Sequence, residues 1–193
     1  LRLAPLRAAV SAVSPFFQWP FASPFSPRLT VSPTFATVLS RGGPMDLKIR
    51  KAEVADAPLI AATERLIAQT PGFLLSRPEE LKIESFAETI TRLQKDPRGY
   101  YRVGLNREIV IGHCLLEPLP RELLRHVLSL TVAIHPDFQG QGFGRALLGD
   151  ALWWAKCTKG VEKIELKVRS TNTRALALYH SAGFKEEGRL TRH

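Results

Sequence analysis

Apolar and polar positions alternate with two different periods along most of this chain, and each period predicts an element of secondary structure. Residues 163–169, KIELKVR, alternate strictly, and residues 126–134 alternate in the same way, so both segments are predicted to be half-buried strands. From Gly142 to Lys156 the apolar residues recur at helical spacing instead. This pattern predicts an amphipathic helix between the two strands.

Start and stop signals predict three further helices. Asp56 can cap a helix that follows it, and Pro78 at a first helical position opens a second helix that runs to about Gln94. Asn172 caps a third helix. Gly183 is expected to end that helix, because glycine readily adopts the left-handed conformation that stops a helix.

Short apolar segments complete the predicted sheet. Residues 48–50 begin a strand, and residues 100–103 and 109–116 form a hairpin that turns at residues 106–107. Another strand begins at Phe184. The predicted order is therefore βααβββαβαβ, a mixed sheet with helices, so the fold class is α/β or α+β.

The start of the chain differs in composition from the rest. Residues 1–44 are rich in Pro and Ser, contain four arginines and no acid, and so carry +4 of the net charge of +9. Proline at this density blocks helices and central strands, so we expect little fixed structure here and a folded domain over residues 45–193. We interpret Met45 as the natural start of the protein and residues 1–44 as translated upstream sequence. The alternative is that residues 1–44 are a targeting leader.

Composition excludes several classes of protein. No run of about 18 or more apolar residues is present, which argues against a membrane span. The isolated Cys114 and Cys157 argue against a disulfide framework and fit a reducing compartment. The expected location is therefore cytoplasmic, or organellar if residues 1–44 are a transit leader.

Charged and metal-binding residues narrow the choice of ligand. The histidines lack the spacing of metal ligands, so no metal is expected. The basic charge does not form a Lys/Arg tract interleaved with aromatic residues, which argues against nucleic acid. It fits an anionic small molecule instead.

Three glycines stand in the segment QGQGFG, residues 139–144, between a predicted strand and a predicted helix. A dinucleotide fingerprint would need a third glycine where Arg145 stands, and a P-loop would need Gly-Lys followed by Ser or Thr, so both motifs fail. What remains is a helix N-terminus whose free N–H groups and dipole favour phosphate oxygens. One glycine would suffice for a tight turn, so three favour a ligand that approaches the backbone closely.

The same segment carries a family resemblance. VAIHPDFQGQGFGRALL, residues 132–148, closely resembles motif A of the GNAT superfamily of N-acetyltransferases, and ELKVRSTNTRALALYHSAGFKEEGR, residues 165–189, looks like motif B. Together the two motifs cover about residues 126–188. The resemblance implies the GNAT fold, a central mixed sheet flanked by helices, and acetyl-CoA as co-substrate.

The end of the chain departs from the family pattern. Members of the family continue past the segment GFKEEGRL into a closing strand, whereas this chain stops at His193, so the closing strand is expected to be missing. Either the chain is truncated, or a second subunit covers the open edge of the sheet. The second case would make the protein a homodimer.

The resemblance assigns the acetyl-CoA site residue by residue. The pyrophosphate would lie on the amides of a glycine loop made of Gln139, Gly140, Gln141, Gly142, Phe143 and Gly144, with added charge from Arg145. The pantetheine arm would pair with the backbone of Val132 and Ile134, which requires that strand and the strand after the helix to splay apart. Asn172 would contact the CoA arm while capping its helix, and the alternative is the cap alone.

The resemblance also implies catalysis by Tyr179. A phenol has a reference pKa of about 10, so it keeps its proton at neutral pH and can protonate the departing thiolate as a general acid. The backbone N–H of Val132 would polarise the thioester carbonyl. From spacing alone, Tyr179 would be an ordinary aromatic residue on the buried face of a helix.

No general base is assigned. Many family members carry a Glu on the central strand where this chain has Ser129, which cannot act as an unaided base. Glu117, His113 and His126 are candidates, directly or through water. No base is needed if the amine arrives partly deprotonated.

The expected function is N-acetyl transfer from acetyl-CoA to a primary amine acceptor, with a small molecule favoured as the acceptor. Two other classes are open. One is an acyl-CoA-binding regulator without turnover, suggested by Ser129 and the missing strand. The other is a basic module that binds nucleic acid.

Overall fold

The computed structural model describes residues 9–13, 47–74 and 76–190, and residues 9–13 are described by their backbone alone. The strands are β1 (Ala9–Val13), β2 (Leu47–Lys51), β3 (Tyr100–Asn106), β4 (Ile109–Pro118), β5 (Val127–Ile134), β6 (Lys163–Arg169) and β7 (Glu186–Leu190). The helices are α1 (Ala57–Ala68), α2 (Ile83–Lys95), α3 (Phe143–Cys157) and α4 (Thr173–Ser181). The expectations for Met45 and for the rest of residues 1–44 and 191–193 lie outside the described residues.

The strands form one mixed sheet in the order β2-β3-β4-β5-β6-β1-β7. Strands β5 and β6 run parallel, and the other neighbouring pairs run antiparallel. The parallel pair follows from α3, since two parallel neighbours need a crossover connection between them. From β2 onward the elements follow the order βααβββαβαβ, so the predicted mixed α/β architecture is confirmed.

Strand β1 lies between β6 and β7 and pairs antiparallel with both. It belongs to the segment for which we expected little fixed structure, so the structure differs from that expectation at residues 9–13. It gives β7 an antiparallel neighbour from a part of the chain that the residue pattern did not predict to be a strand.

The second helix starts later than the sequence predicted. Pro78–Glu80 form a separate 3-10 turn, in which the Glu80 carboxylate accepts the N–H of Arg77 at 2.8 Å. Leu81 then has a ψ of 79°, which lies outside the helical range. Helix α2 therefore begins only at Ile83.

Two apolar cores lie on opposite faces of the sheet. One packs α3 and α4 against the sheet around Leu128, Leu147 and Leu166. The other packs α1 and α2 against the opposite face around Ile60 and Ile90. The sheet is therefore the middle of three layers. None of the helices in the described residues is both long and apolar enough to cross a membrane.

Strands β5 and β6 separate after a short parallel pairing. Residues 127–129 of β5 pair with residues 163–165 of β6, and β6 pairs with β1 over residues 165–169. On its other side β5 stays paired with β4 as far as Ile134. A wedge therefore opens beside the second half of β5, and this is the splay that the predicted pantetheine site requires.

Leu128 is fully buried at the centre of the sheet, so we expect Leu128→Ala to destabilise the fold by about 2–5 kcal/mol, from lost apolar burial and a residual cavity. The measurement is the free energy of unfolding in urea. Leu59→Ala is the matched control, because Leu59 is 53% exposed on α1 and should change stability by less than about 0.5 kcal/mol. Equal effects of the two substitutions would contradict the assigned core.

Candidate active site

A cavity of about 780 Å³ opens where β5 and β6 separate. Residues 130–134 of β5 form its floor. One wall comes from the glycine loop, β6 and α4, and the other comes from α1, the loop after α1, and α2. Cavities that bind small molecules and cofactors measure about 300–1,000 Å³, so this one has the size of a ligand site.

Two of the three loop glycines are required by the backbone itself. Gly140 has a φ of 79° and Gly142, the N-cap of α3, has a φ of 89°, both in the left-handed region that side chains rarely adopt. The expectation that one glycine would suffice for this turn is therefore wrong. The chain needs both to pass from β5 into α3.

Gly144 differs from the other two glycines. It lies in the first turn of α3, and a Cβ added there would meet Leu178 at 3.5 Å and Ile134 at 3.6 Å, which are ordinary contacts. Neither backbone conformation nor crowding within the protein requires a glycine at this position. Because Gly144 lines the cavity, its missing side chain leaves room for a ligand against the helix N-terminus.

Positively charged side chains lie beside the N-terminus of α3. Arg145 lines the cavity and is exposed. Arg174, near the start of α4, donates to Oε1 of Gln139 at 2.9 Å, and Nε2 of Gln139 donates to the carbonyl of Ile134 at 2.9 Å. The sequence analysis missed Arg174, although its position two residues after the Asn172 cap placed it at the start of a helix.

Most of the predicted site residues line the cavity. They are Val132, Ile134, Gln139, Gly140, Gly142, Gly144, Arg145, Asn172 and Tyr179. Gln141 and Phe143 do not line it. Gln141 is exposed and donates to the carbonyl of Asp137 at 2.9 Å, and the Phe143 ring is buried edge-on against Phe138. Their side chains are therefore structural, and only their backbone N–H groups can serve a ligand.

Asn172 and Tyr179 each make a structural contact and also line the cavity. The Asn172 side chain accepts the N–H of Ala175 at 3.1 Å, so it caps α4, and it also lines the cavity. Tyr179 is 8% exposed and packs edge-to-face on Phe184 at 5.8 Å, yet it lines the cavity too. Burial, and then the nearby Cys114, raises the pKa of Tyr179 well above its usual value.

Of the three candidate bases, Glu117 alone lines the cavity. It pairs across the strands with Ser129, and its carboxylate lies 2.7 Å from the guanidinium of Arg92. His113 is fully buried behind the wall. His126 is half-buried outside the cavity, and its carbonyl accepts the backbone N–H groups of Glu162 and Lys163 at the start of β6.

The sequence analysis missed a second carboxylate on the cavity wall. Glu64 lies on the buried stripe of α1 between Ile60 and Ile67, and its Oε1 is 3.0 Å from Nε2 of His113. An acid at a buried position of an amphipathic helix was a signal that could have identified it. Within the described residues, no group of three or more His, Cys, Asp or Glu is placed to hold a metal ion.

Comparison with known proteins identifies the family. Residues 64–184, well over half of the chain, match the model of the acetyltransferase (GNAT) family. The chain belongs to the GNAT family. The cavity, the glycine loop and the separated strands lie within the matched residues.

Two curated relatives are N-acetyltransferases by name. The [ribosomal protein bS18]-alanine N-acetyltransferase of Escherichia coli K12 is 46% identical over 64 residues, which are 33% of this chain and 43% of that protein. The N-alpha-acetyltransferase RimI of Mycobacterium tuberculosis is 43% identical over 97 residues, which are 50% of this chain and 59% of that protein. The matched part of this GNAT chain thus spans less than two thirds of either relative.

A solved structure shows the same fold. The GNAT superfamily phosphinothricin acetyltransferase from Sinorhizobium meliloti, in complex with AcCoA, superposes with a TM-score of 0.68 over 75% of this chain and 77% of that chain. At 20% identity this likeness shows the fold alone.

We expect Gly142→Ala to destabilise the protein by about 1–2 kcal/mol, because alanine is strained in the left-handed conformation. The measurement is the free energy of unfolding. Gly149→Ala is the matched control, since Gly149 lies within α3 with open space beside its α-carbon. That control should stabilise the protein by about 0.5–1 kcal/mol. A neutral Gly142→Ala would contradict the need for glycine at the N-cap.

Proposed function

We propose that this protein transfers the acetyl group of acetyl-CoA to the nitrogen of a primary amine. One observation carries the proposal. The unpaired edge of β5, the N-terminus of α3 and the buried phenol of Tyr179 all border one cavity in a GNAT domain.

The residues of the cavity fit a CoA carrier. Free N–H groups in the first turn of α3 and the helix dipole favour its pyrophosphate, and Arg145 and Arg174 add positive charge. Gly144 allows the phosphates to approach the helix. The open edge of β5 at Val132 and Ile134 offers backbone groups to the amides of the pantetheine arm, in the manner of an added strand.

Tyr179 is the proposed general acid. Bound acetyl-CoA supplies a thioester carbonyl that a neutral amine can attack, and the N–H of Val132 stabilises the negative charge on the carbonyl oxygen. As the carbon–sulfur bond breaks, Tyr179 gives its proton to the sulfur, and the tyrosinate then recovers a proton from the new amide nitrogen. Because burial raises the pKa of Tyr179, the phenol stays protonated at neutral pH until sulfur departs.

We favour a small amine as the acceptor. The loop after α1 closes over the acceptor side of the cavity, where Thr171, two residues after β6, donates to the carbonyl of Gly72 at 2.9 Å. A loop tied down in this way restricts the size of what can enter. The second candidate acceptor is the α-amine of a protein, since one curated relative is named as an alanine N-acetyltransferase of a ribosomal protein and the other as an N-alpha-acetyltransferase.

We also propose that the protein works in a reducing compartment such as the cytoplasm. Both cysteines are free thiols, with Cys114 buried and Cys157 exposed. An exposed free thiol fits a compartment in which thiols stay reduced.

Acetyl-CoA should raise the thermal unfolding midpoint of the wild type, because a ligand that binds only the folded state stabilises it. Gly144→Ala should keep the stability of the unliganded protein, since its added methyl group meets only ordinary contacts. It should lose most of the acetyl-CoA shift, because the methyl group occupies the phosphate position. A full shift in Gly144→Ala would contradict the proposed approach to the helix.

Tyr179→Phe should lower kcat by about 10²–10⁴-fold, because it removes a general acid. The assay is thiol release from acetyl-CoA with ethylamine, spermidine and a peptide that begins with alanine. The acetyl-CoA thermal shift of the variant is the control for binding and should persist.

The same assay separates the candidate functions. An unchanged kcat in Tyr179→Phe would eliminate the general-acid role. Turnover of the peptide alone would favour the protein acceptor. Wild-type protein that shows a thermal shift but acetylates none of the amines would favour an acyl-CoA-binding regulator.

A further inference from the structure

Three buried polar atoms in the described residues have no aligned hydrogen bond, and they lie in one cluster. They are the hydroxyl of Tyr101 and both ring nitrogens of His113. The two rings are 5.6 Å apart, and Phe86 meets the His113 ring edge-on at 6.4 Å. Buried polar groups in folded proteins are nearly always paired, so a cluster of unpaired ones indicates a functional demand.

Glu64 connects this cluster to the cavity. Its Oε1 lies 3.0 Å from Nε2 of His113, within contact distance but without the angle of a hydrogen bond. Glu64 and Tyr101 line the cavity at 8% and 6% exposure, whereas His113 lies behind them at 0%. A carboxylate this buried is costly without strong partners, and a substrate ammonium would supply it with charged N–H donors.

The cluster also lies beside the place where the thioester would react. His113 pairs across the strands with Ala133, the neighbour of Val132. Glu117 pairs instead with Ser129, which lies roughly 10 Å from Val132 at about 3.3 Å per residue. At Ser129 the wedge is still closed by β6, and the Glu117 carboxylate already binds Arg92.

We propose that Glu64 is a catalytic residue that binds the acceptor ammonium and removes its proton, with His113 as the positioning residue behind it. Tyr101 borders the cavity beside Glu64, and its ring packs on His113. The assignment rests on the proposed acetyl transfer.

The proton balance of the step is complete. The ammonium gives one proton to the Glu64 carboxylate, which leaves a neutral amine with a free electron pair. That pair forms the carbon–nitrogen bond, the carbon–sulfur bond breaks, and Tyr179 protonates the sulfur and is reprotonated from the nitrogen. Glu64 then releases its proton to solvent, so one proton leaves per acetyl group transferred.

A base is needed only for an acceptor that arrives protonated, and this difference supplies the test. Ethylamine is almost fully protonated at neutral pH, whereas 2,2,2-trifluoroethylamine has nearly the same shape and is largely neutral because fluorine withdraws electrons. With acetyl-CoA at neutral pH, Glu64→Gln should lose about 10²-fold in kcat for ethylamine. It should lose little for trifluoroethylamine.

His113→Asn separates a positioning role from a structural one. Loss of positioning should lower kcat for ethylamine more than for trifluoroethylamine, whereas general damage to the fold lowers both equally. The acetyl-CoA thermal shift should survive in both variants, which shows that each is folded and binds its co-substrate. Glu88→Gln is the matched control, because Glu88 is exposed on α2 away from the cavity and should behave as wild type.

Several outcomes overturn the assignment. Equal losses for both amines, or none, in Glu64→Gln would remove Glu64 as the base. An ethylamine-selective loss in Glu117→Gln, with Glu64→Gln unaffected, would transfer the role to Glu117. Acetylation of neither amine by the wild type would contradict the proposed function itself, and the assignment of Glu64 would fall with it.

Discussion

Strands β5 and β6 stop pairing after Ser129, and this separation places the edge of a central strand against a cavity instead of against another strand. Backbone N–H and C=O groups inside a protein need partners, so an open edge within the fold is tolerated only where a ligand or solvent can reach it. Two neighbours keep the wedge open. Strand β4 holds β5 in register as far as Ile134, and β1 pairs with the diverging part of β6.

The loop at the end of β5 combines a structural and a functional requirement. Gly140 and Gly142 let the chain turn sharply, so that α3 begins directly beside the strand edge. The helix N-terminus and the open edge then face the same cavity, which suits a long ligand with an anionic end and an amide-containing arm. Gly144 lines the cavity and is not needed for the turn, because a side chain there would meet only ordinary contacts among the described residues.

The opposite wall of the cavity contains buried polar side chains. A well-packed apolar wall would be more stable than one that holds His113 and Tyr101, whose buried polar atoms lack hydrogen bonds, since unpaired buried polar groups are costly. The aromatic contacts of His113 with Tyr101 and Phe86 hold this wall rigid. Rigid polar groups that lack internal partners are suited to receive a charged substrate group without reorganisation.

Local patterns along the sequence determined the order of the elements, the mixed sheet and the cap at Asn172. They also identified most of the residues that line the cavity among those predicted to bind a ligand. Hydrophobic period, capping residues and glycines are signals between residues that are close in the chain, so they can be read from the sequence. The same signals predicted too early a start for α2, because Pro78–Glu80 form a separate 3-10 turn before that helix. Only the tertiary structure decided that β1 enters the sheet and that Glu64 meets His113. Those contacts depend on how a helix packs across a sheet, and no local periodicity encodes which distant side chains will then converge.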